Sequence, residues 1–282
     1  MKLRDIAAEI LGLEPSRADS LIELRRGART IGLFATPPGV GHAFGEGRQV
    51  LVKIYKGDGS TSGNEQYRTY HGGHFQKVPA LMGNPYIQKS LAAGIYRRGG
   101  SVHPYAVLEY IPGTELADLI EAAKMDFPTV CRIIEKILFE IWIPIWDAGL
   151  RFKDCHPGNF ILGADGHVYM IDTEQIRKDA AELLLTPTIW KQRDRHEALG
   201  IQRLPGLLTR LICAARPECK EGAVDREVRR LLGEARLPVV LNRLGRGTSS
   251  EVAKVAAEAL LDEVRRQEGV CLRLRIVEQR GK

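Results

Sequence analysis

The hydrophobic pattern of the first 110 residues predicts a helix followed by a small β-sheet. The amphipathic pattern of residues 1–13 predicts a helix that ends near Gly12. Short apolar runs bounded by turn-forming residues then predict β-strands. These strands are expected at residues 21–24, 30–35, 49–55 and 106–109. A Pro-Gly turn at Pro112 and a further helix follow the last of them.

The pattern beyond residue 110 predicts mainly helices and one hairpin. Residues 127–146 are strongly apolar at helical spacing, which indicates a core helix. Residues 159–162 and 167–172 are expected to be two short strands joined by a Gly-Ala-Asp-Gly turn. After Glu174 the pattern again indicates helices, the last of which opens with a capping box. The second part of the chain is therefore expected to be the more helical one.

Composition and cysteine usage are those of an ordinary globular protein. Of the 282 residues, 44% are hydrophobic and 27% are charged. No apolar stretch reaches the ~20 residues that span a bilayer. The first ten residues contain acids and do not resemble a secretory signal. Five scattered cysteines favour a reducing compartment, so we expect a cytoplasmic protein without a transmembrane segment.

The positive charge is concentrated in the C-terminal part of the chain. Residues 173–282 contain 22 Lys/Arg and 16 Asp/Glu, which accounts for the whole net charge of +6. Two interpretations stay open: solvated helix faces, or a surface that attracts an anionic acceptor such as a phosphorylated sugar, a lipid headgroup or an acidic protein. No basic run is interleaved with aromatic residues, so we expect no nucleic-acid partner.

The residues that most suggest chemistry are the run 153–159 (KDCHPGN) and Asp172. Phosphoryl transfer from a metal-bound nucleotide needs a carboxylate to orient and deprotonate the hydroxyl, and an amide with an anionic oxygen to hold Mg²⁺. Asp154, Asn159 and Asp172 are residues of these types. The predicted hairpin would bring Asn159 and Asp172 to one end, facing one metal. The alternative is a chance hairpin with an exposed Asp and Asn.

A lone lysine, Lys53, lies within the apolar run of residues 49–55. An ammonium group in such a strand is costly to bury unless an anion meets it, so a phosphate contact is one interpretation. The other interpretation is a lysine at the strand edge whose charged end reaches water.

The six residues from Asp154 to Asn159 (DCHPGN) resemble the catalytic loop of the protein-kinase-like superfamily. The resemblance is greatest to the branch of aminoglycoside phosphotransferases and choline kinases, where Asp-x-His-Pro-x-Asn is usual. The four residues from Ile171 (IDTE) are similar to the Ile-Asp-x-Glu/Asp of that branch. The resemblance implies Asp154 as the catalytic base, and Asn159 and Asp172 as the Mg²⁺ ligands.

The resemblance also implies an ATP site in the N-terminal part. Lys53 matches the strand lysine that contacts the α- and β-phosphates, and Glu65 matches the helix glutamate that pairs with this lysine. Glu65 also suits a helix N-terminus, where a carboxylate is stabilising. The linker between the lobes would bind adenine through the carbonyl of Glu109 and the amide of Ile111.

Two glycine-containing segments are candidates for the loop that covers the phosphates. The sequence of residues 39–45 resembles such a loop. Only three residues, however, separate this segment from the strand that starts at residue 49. A phosphate-covering hairpin needs a complete strand there, so we predict residues 37–47 as a flexible connection. The nucleotide loop is assigned instead to Gly27, Ala28, Arg29 and Thr30. Arg29 would neutralise phosphate charge or, alternatively, face solvent.

Several positions depart from the usual protein-kinase pattern. Phe152 replaces a His or Tyr and keeps the packing but not the hydrogen bond. Lys153 would place a positive charge near the acceptor hydroxyl, and His156 stands where protein kinases have a lysine that meets the γ-phosphate. No Ala-Pro-Glu-like segment or activation loop follows Asp172. These departures favour a constitutive phosphotransferase over a regulated protein kinase.

The resemblance implies a bilobal α+β fold. Residues 1–110 would form an N-lobe with a small antiparallel sheet, and residues 111–282 a mainly helical C-lobe, with ATP between them. The favoured function is an ATP- and Mg²⁺-dependent kinase acting on a hydroxyl of a small-molecule or glycan acceptor. The basic C-terminal part speaks against a polycationic aminoglycoside as that acceptor. Two alternatives stay open: a minimal Ser/Thr protein kinase and an ATP-binding pseudokinase.

Overall fold

A computed structural model describes two compact units, Met1–Ile111 and Pro112–Lys282. The residues that it describes are 2–24, 30–45, 47–56, 81, 83–98, 100–123, 125–147, 150–152, 155–173, 176–178, 206–226, 258, 261, 262 and 265. Each unit combines strands with helices, and an antiparallel sheet forms the centre of the N-terminal one. The α+β fold class predicted from the sequence is confirmed.

The N-terminal unit is built on five antiparallel strands. They are β1 (Ile22–Glu23), β2 (Thr30–Ala35), β3 (Val50–Tyr55), β4 (Ser90–Arg98) and β5 (Ser101–Glu109). Their order is β1-β2-β3-β5-β4, so β3 is the central strand. The sequence pattern predicts all of them except β4. Alanine and glycine in the middle of β4 have little strand propensity, and pairing with β5 decides its conformation.

Helix α1 (Leu3–Ile10) packs against one face of this sheet. The Asp5 carboxylate accepts a hydrogen bond from the backbone N–H of Lys2 at 3.0 Å, which satisfies a donor at the helix start. Gly12, at φ +67°, then lets the chain turn away from the helix, and the predicted end of the helix is confirmed.

Side chains of β3 alternate between the two faces of the sheet. Those that face α1 and are fully buried beneath it are Val50, Val52 and Ile54. Leu51, Lys53 and Tyr55 lie on the opposite face, where Tyr55 belongs to a second buried cluster. The central strand therefore presents Lys53 on the sheet face that α1 does not cover.

The loop between β2 and β3 is held against α1. The Ala43 N–H donates to the Leu11 carbonyl at 2.9 Å, just beyond the helix end. The His42 ring donates from Nε2 to the Arg48 carbonyl at 2.6 Å and accepts the Phe44 N–H at Nδ1 at 3.1 Å. The described part of this loop is therefore docked on the N-terminal helix, while its predicted flexibility stays a prediction.

The first helices of the C-terminal unit are α2 (Leu116–Glu121) and α3 (Phe127–Lys136). Asp126 caps α3, because its carboxylate accepts the Thr129 N–H at 2.8 Å. The predicted core positions are all buried: Val130, Ile133, Ile134, Ile137, Leu138, Ile141 and Ile145. The predicted core helix is confirmed.

A π-helical turn (Ile137–Trp142) interrupts this core helix before α4 (Ile143–Asp147). The N–H of Ile143 donates to the carbonyl of Leu138, five residues back. Pro144 supplies a physical reason, because it has no N–H for the carbonyl four residues back and its ring pushes that carbonyl away. The hydrophobic periodicity does not indicate this turn, since apolar residues stay buried on both sides of it.

Two small sheets complete the described part of the C-terminal unit. Their strands are β6 (Gly113–Glu115), β7 (Leu150–Phe152), β8 (Phe160–Gly163), β9 (Val168–Met170) and β10 (Ile176–Lys178). One sheet has the order β6-β8-β9, and the other pairs β7 with β10. The predicted hairpin, β8–β9, is confirmed, and residues 206–215 are helical as predicted.

Strand β10 follows Glu174 and precedes the predicted helices of the C-terminal part, and the sequence pattern does not predict it. Two of its three residues are charged, so it carries no strand periodicity in the sequence. Its conformation is decided by antiparallel pairing with β7, more than twenty residues earlier in the chain.

Within the described residues, no helix has both the length and the apolarity to cross a membrane. Cys131, Cys155 and Cys213 form no disulfide, whereas Cys219 is disulfide-bonded. The reducing compartment stays a prediction.

Candidate active site

The β8–β9 hairpin places Asn159 and Asp172 at the same end. Phe160 pairs with Met170, and the Ile171 N–H donates to the Asn159 carbonyl at 2.8 Å, which extends the ladder by one residue. Asn159 is only 4% exposed and ends a 3₁₀ turn, where its own N–H donates to the His156 carbonyl at 2.9 Å. Asp172 follows Ile171 directly, so the two predicted metal ligands leave adjacent strand ends.

Asp172 has a backbone conformation that side chains rarely adopt. Its φ is +57°, and within the described part of the chain only Ala123 shares a positive φ among residues other than glycine. This left-handed conformation costs roughly 1–2 kcal/mol, although Asp and Asn tolerate it better than most residues. Such outliers persist where the surroundings hold them, and they cluster at active sites and ligand clamps.

The donor groups at this end of the hairpin fit Mg²⁺. An amide and a carboxylate offer only oxygen atoms, which this hard cation prefers, and Mg²⁺ is usually held by one or two carboxylates together with phosphates and water. Among the described residues, no group of three or more His, Cys, Asp and Glu is placed to hold a metal by itself. Asn159 and Asp172 would supply two oxygen ligands, and phosphate oxygens and water would complete the coordination of Mg²⁺.

Pairing of β7 with β10 brings together the two ends of the segment that contains the motif, the hairpin and Asp172. Phe152 pairs with Ile176, so the chain entering the 153–159 motif lies beside the chain that leaves Asp172. Lys153 and Asp154, predicted as catalytic residues, lie outside the described residues, between Phe152 and Cys155. The motif, the hairpin and Asp172 thus belong to one loop whose two ends are paired.

His156 and Gly158 pack against each other within the motif. A Cβ at Gly158 would lie 3.2 Å from His156 Cε1 and 3.3 Å from Nδ1, closer than most real contacts. Glu115 Oε2 lies 3.9 Å from the same point. Glycine therefore allows an imidazole and a carboxylate to border the backbone directly before Asn159. His156 itself is exposed.

Lys53 lies at the centre of the N-terminal sheet. It is paired with Leu33 on β2 and with Ala106 on β5, and its Nζ is 5.3 Å from the centre of the Tyr55 ring. An ammonium group at this distance from an aromatic face is attracted to it. The predicted strand around Lys53 is confirmed, while contact with phosphate stays a prediction.

The predicted linker residue Glu109 ends β5 with both of its backbone groups hydrogen-bonded. Its N–H donates to the Lys89 carbonyl, and its carbonyl accepts the side-chain N–H of Gln88, each at 2.9 Å. Its side chain pairs with the Arg48 guanidinium at 2.6 Å. Ile111, two residues further, is 8% exposed. Sequence reasoning missed Gln88 and Arg48, because neither lies in a motif.

The remaining predicted nucleotide-binding residues are only partly described. Gly27, Ala28, Arg29 and Glu65 lie outside the described residues. Thr30 starts β2, is 8% exposed and pairs with Tyr55. In the sequence, the segment predicted to cover the phosphates lies between β1 and β2, and these two strands pair with each other, as the prediction requires.

Polar contacts that the sequence did not indicate fix the turn of the β8–β9 hairpin. Asp165 accepts hydrogen bonds from the Tyr169 hydroxyl at 2.5 Å and from the His167 N–H at 3.0 Å. The His167 ring in turn lies 3.1 Å from Lys136 Nζ and 3.5 Å from Glu140 Oε2. The hairpin is therefore fastened to the core helix at the end opposite Asn159.

The turn is expected to weaken in acid. The Tyr169 hydroxyl, and then the His167 N–H, hold the pKa of Asp165 below its usual value. Because the folded pKa is lower than the unfolded one, the stabilisation is complete above about pH 4 and is lost as the pH falls through the folded value. The protection factor of the His167 amide, which is its intrinsic exchange rate at a given pH divided by the observed rate, should fall about two- to fivefold over that range, a small effect because the carboxylate is exposed.

The matched variant for this titration is Asp165→Asn, in which the His167 amide should have the lower protection factor at every pH. Asp19→Asn removes a carboxylate that is almost fully exposed in the N-terminal unit and should leave the profile of protection against pH unchanged. A wild-type protection factor that stays constant from pH 6 to about pH 2 would contradict the assignment of Asp165.

No family model matches this chain. Over 105 residues it is 25% identical to a protein of Caenorhabditis elegans described as "cAMP-dependent protein kinase, catalytic subunit-like". The match covers 37% of this chain and 25% of that relative, so the chain spans about a quarter of the relative's length. This similarity supports a protein-kinase-like relationship at most.

Proposed function

We propose that this chain is an ATP- and Mg²⁺-dependent kinase that transfers the γ-phosphate to a hydroxyl of a small-molecule or glycan acceptor. The observation that carries the proposal is the end of the β8–β9 hairpin. There, a buried Asn159 and a strained Asp172 leave adjacent strands inside a loop closed by β7 and β10. Kinase-type transfer requires an amide and a carboxylate in this relation.

The residues of the motif divide the chemistry among them. Asp154 orients the acceptor hydroxyl and takes its proton as the oxygen bonds to the γ-phosphorus and the bond to the β–γ bridging oxygen breaks, leaving ADP. The side-chain oxygens of Asn159 and Asp172 hold Mg²⁺, which neutralises the charge of the phosphates. Lys153 and His156 add positive charge or hydrogen-bond donors near the transferred group.

The nucleotide is held by residues of the N-terminal unit. Lys53 contacts the α- and β-phosphates and is oriented by Glu65. The backbone from residue 27 to residue 30 covers the phosphates, and the linker from Glu109 to Ile111 lies along the base. Support for this assignment comes from the position of Lys53 on the central strand and of Glu109 at the end of the neighbouring strand.

The class of acceptor is proposed from two observations: the catalytic-loop motif and the positive charge of residues 173–282. The DCHPGN and IDTE sequences resemble the aminoglycoside phosphotransferase and choline kinase branch, whose acceptors are small molecules. The excess of positive charge in residues 173–282 favours an anionic acceptor over a polycationic aminoglycoside. A second candidate is a minimal Ser/Thr protein kinase, which the similarity to the C. elegans protein favours.

Labelled ATP separates these candidates. The full chain is incubated with γ-labelled ATP, Mg²⁺ and a cell extract that has been divided into small molecules and proteins. We expect label in a soluble product, and a loss of about 10³-fold or more with Asp154→Asn, because the general base is removed. Label only in protein bands would establish the protein kinase. Equal turnover by wild type and Asp154→Asn would favour a nucleotide-binding pseudokinase.

A further inference from the structure

The carbonyl of Glu109 is already satisfied by a side chain of the same unit. Gln88 is 4% exposed, and its Nε2 lies 2.9 Å from the Glu109 oxygen. Gln88 directly precedes Lys89, whose carbonyl accepts the Glu109 N–H. The N–H and the carbonyl of Glu109 are therefore both hydrogen-bonded to the two residues that precede β4, Lys89 and Gln88.

The direction of these bonds follows from strand geometry. In an antiparallel ladder the N–H and C=O of one residue point to the same side, and those of the next residue to the other. The Tyr110 N–H accordingly donates to the Gln49 carbonyl at 3.3 Å, on the β3 side. The Glu109 carbonyl thus points toward the start of β4, where Gln88 meets it.

Glu109 is also held from its side chain. Arg48 NH2 lies 2.6 Å from Glu109 Oε1, and the Arg48 carbonyl accepts the His42 ring N–H at 2.6 Å. Reorienting the Glu109 peptide to face a ligand would therefore break the Gln88 and Lys89 bonds and disturb the Arg48 pair.

We propose that Gln88 satisfies the Glu109 carbonyl in place of a nucleobase, so that the 6-amino group of a purine is not recognised by this carbonyl. The inference rests on the proposed function and concerns the specificity for its donor substrate. A carbonyl oxygen has two lone pairs, but with one already engaged by the buried Gln88 amide, a second donor that shares this oxygen adds less than a first one does. The site then holds purine nucleoside triphosphates by the ring and the phosphates, and it tolerates a purine without an amino group at position 6.

The test compares ATP with purine riboside triphosphate, which lacks the 6-amino group. Affinities of the full chain for each, with Mg²⁺, are measured by isothermal titration calorimetry. We expect wild type to bind the two within about twofold, less than the effect of one hydrogen bond. Gln88→Met keeps the length of the side chain but removes its donor. ATP should then bind roughly fivefold more tightly than purine riboside triphosphate, because the carbonyl is open to the amino group.

Gln49→Met is the matched control, because Gln49 Nε2 donates to the Thr36 carbonyl at 2.9 Å and not to the Glu109 carbonyl. It should keep the wild-type ratio. A wild-type preference for ATP of about fivefold or more, or a Gln88→Met ratio equal to that of wild type, overturns the inference and leaves the kinase standing. If wild type binds neither nucleotide, the proposed function fails and the inference fails with it. The wild-type comparison decides by itself if Gln88→Met does not fold.

Discussion

Replacing Asp172 with asparagine is expected to reduce phosphoryl transfer by roughly 10³-fold while leaving the fold intact. Asparagine has the same shape and is one of the few residues that tolerate a φ of +57°. The backbone of the hairpin end is therefore kept. What is lost is the negative charge that balances Mg²⁺, because a neutral amide oxygen binds a hard cation more weakly than a carboxylate does. ADP release at saturating Mg-ATP and the thermal unfolding midpoint are measured together.

Asp165→Asn is the control for this substitution, because Asp165 lies at the other end of the same hairpin and should retain activity. A further variant, Asp172→Gly, separates strain from chemistry. Glycine adopts positive φ without the clash that a Cβ meets, so this variant should be as inactive as Asp172→Asn. It should nonetheless unfold no earlier than wild type. Full activity in Asp172→Asn would remove Asp172 from the metal site.

The parts of the fold that the sequence predicts are those that short segments decide by themselves. The β8–β9 hairpin follows from two apolar runs around a Gly-Ala-Asp-Gly turn, in which Gly166 has a φ of +78°. The core helix follows from an apolar stripe, and the end of α1 from Gly12. In each case the local preference and the tertiary structure agree.

The parts that the sequence does not predict depend on residues far apart in the chain. Strand β10 contains one apolar residue, and only pairing with β7 makes it a strand. The strand β4 is likewise decided by its partner β5. Local propensity is weak in both cases, and cross-strand neighbours override it.

The same distinction applies to the candidate site. Asn159 and Asp172 are predictable together because a single hairpin joins them, and the structure places them at its end. The positive φ of Asp172 has no signature in the letters of the sequence. Gln88 contacts Glu109 across twenty-one residues, so its effect on the linker follows only from the pairing of β4 with β5. A motif thus identifies the groups that do chemistry. Only the fold shows which nearby backbone groups, such as the Glu109 carbonyl, already have a hydrogen-bond partner.

Replacing Lys53 with methionine is expected to lower kcat/KM for Mg-ATP by about 10²-fold or more, because a charge-assisted contact to phosphate is lost. Methionine is unbranched and of similar length, so packing beside Leu33 and Ala106 is retained. Methionine removes the desolvation cost of a half-buried ammonium group but also its attraction to the Tyr55 ring, so the two changes oppose each other. The unfolding midpoint should therefore change little as activity falls.

Lys56→Met is the matched control, since Lys56 directly follows β3 and is exposed. It removes the same charge from the chain and should leave kcat/KM unchanged within about twofold, because an exposed charge contributes little. The paired readout separates a binding role from a structural one: a structural role for Lys53 predicts that activity and unfolding midpoint fall together. Wild-type kcat/KM in Lys53→Met would mean that the phosphates are not held on this face of the sheet, and the nucleotide site would have to be sought elsewhere in the chain.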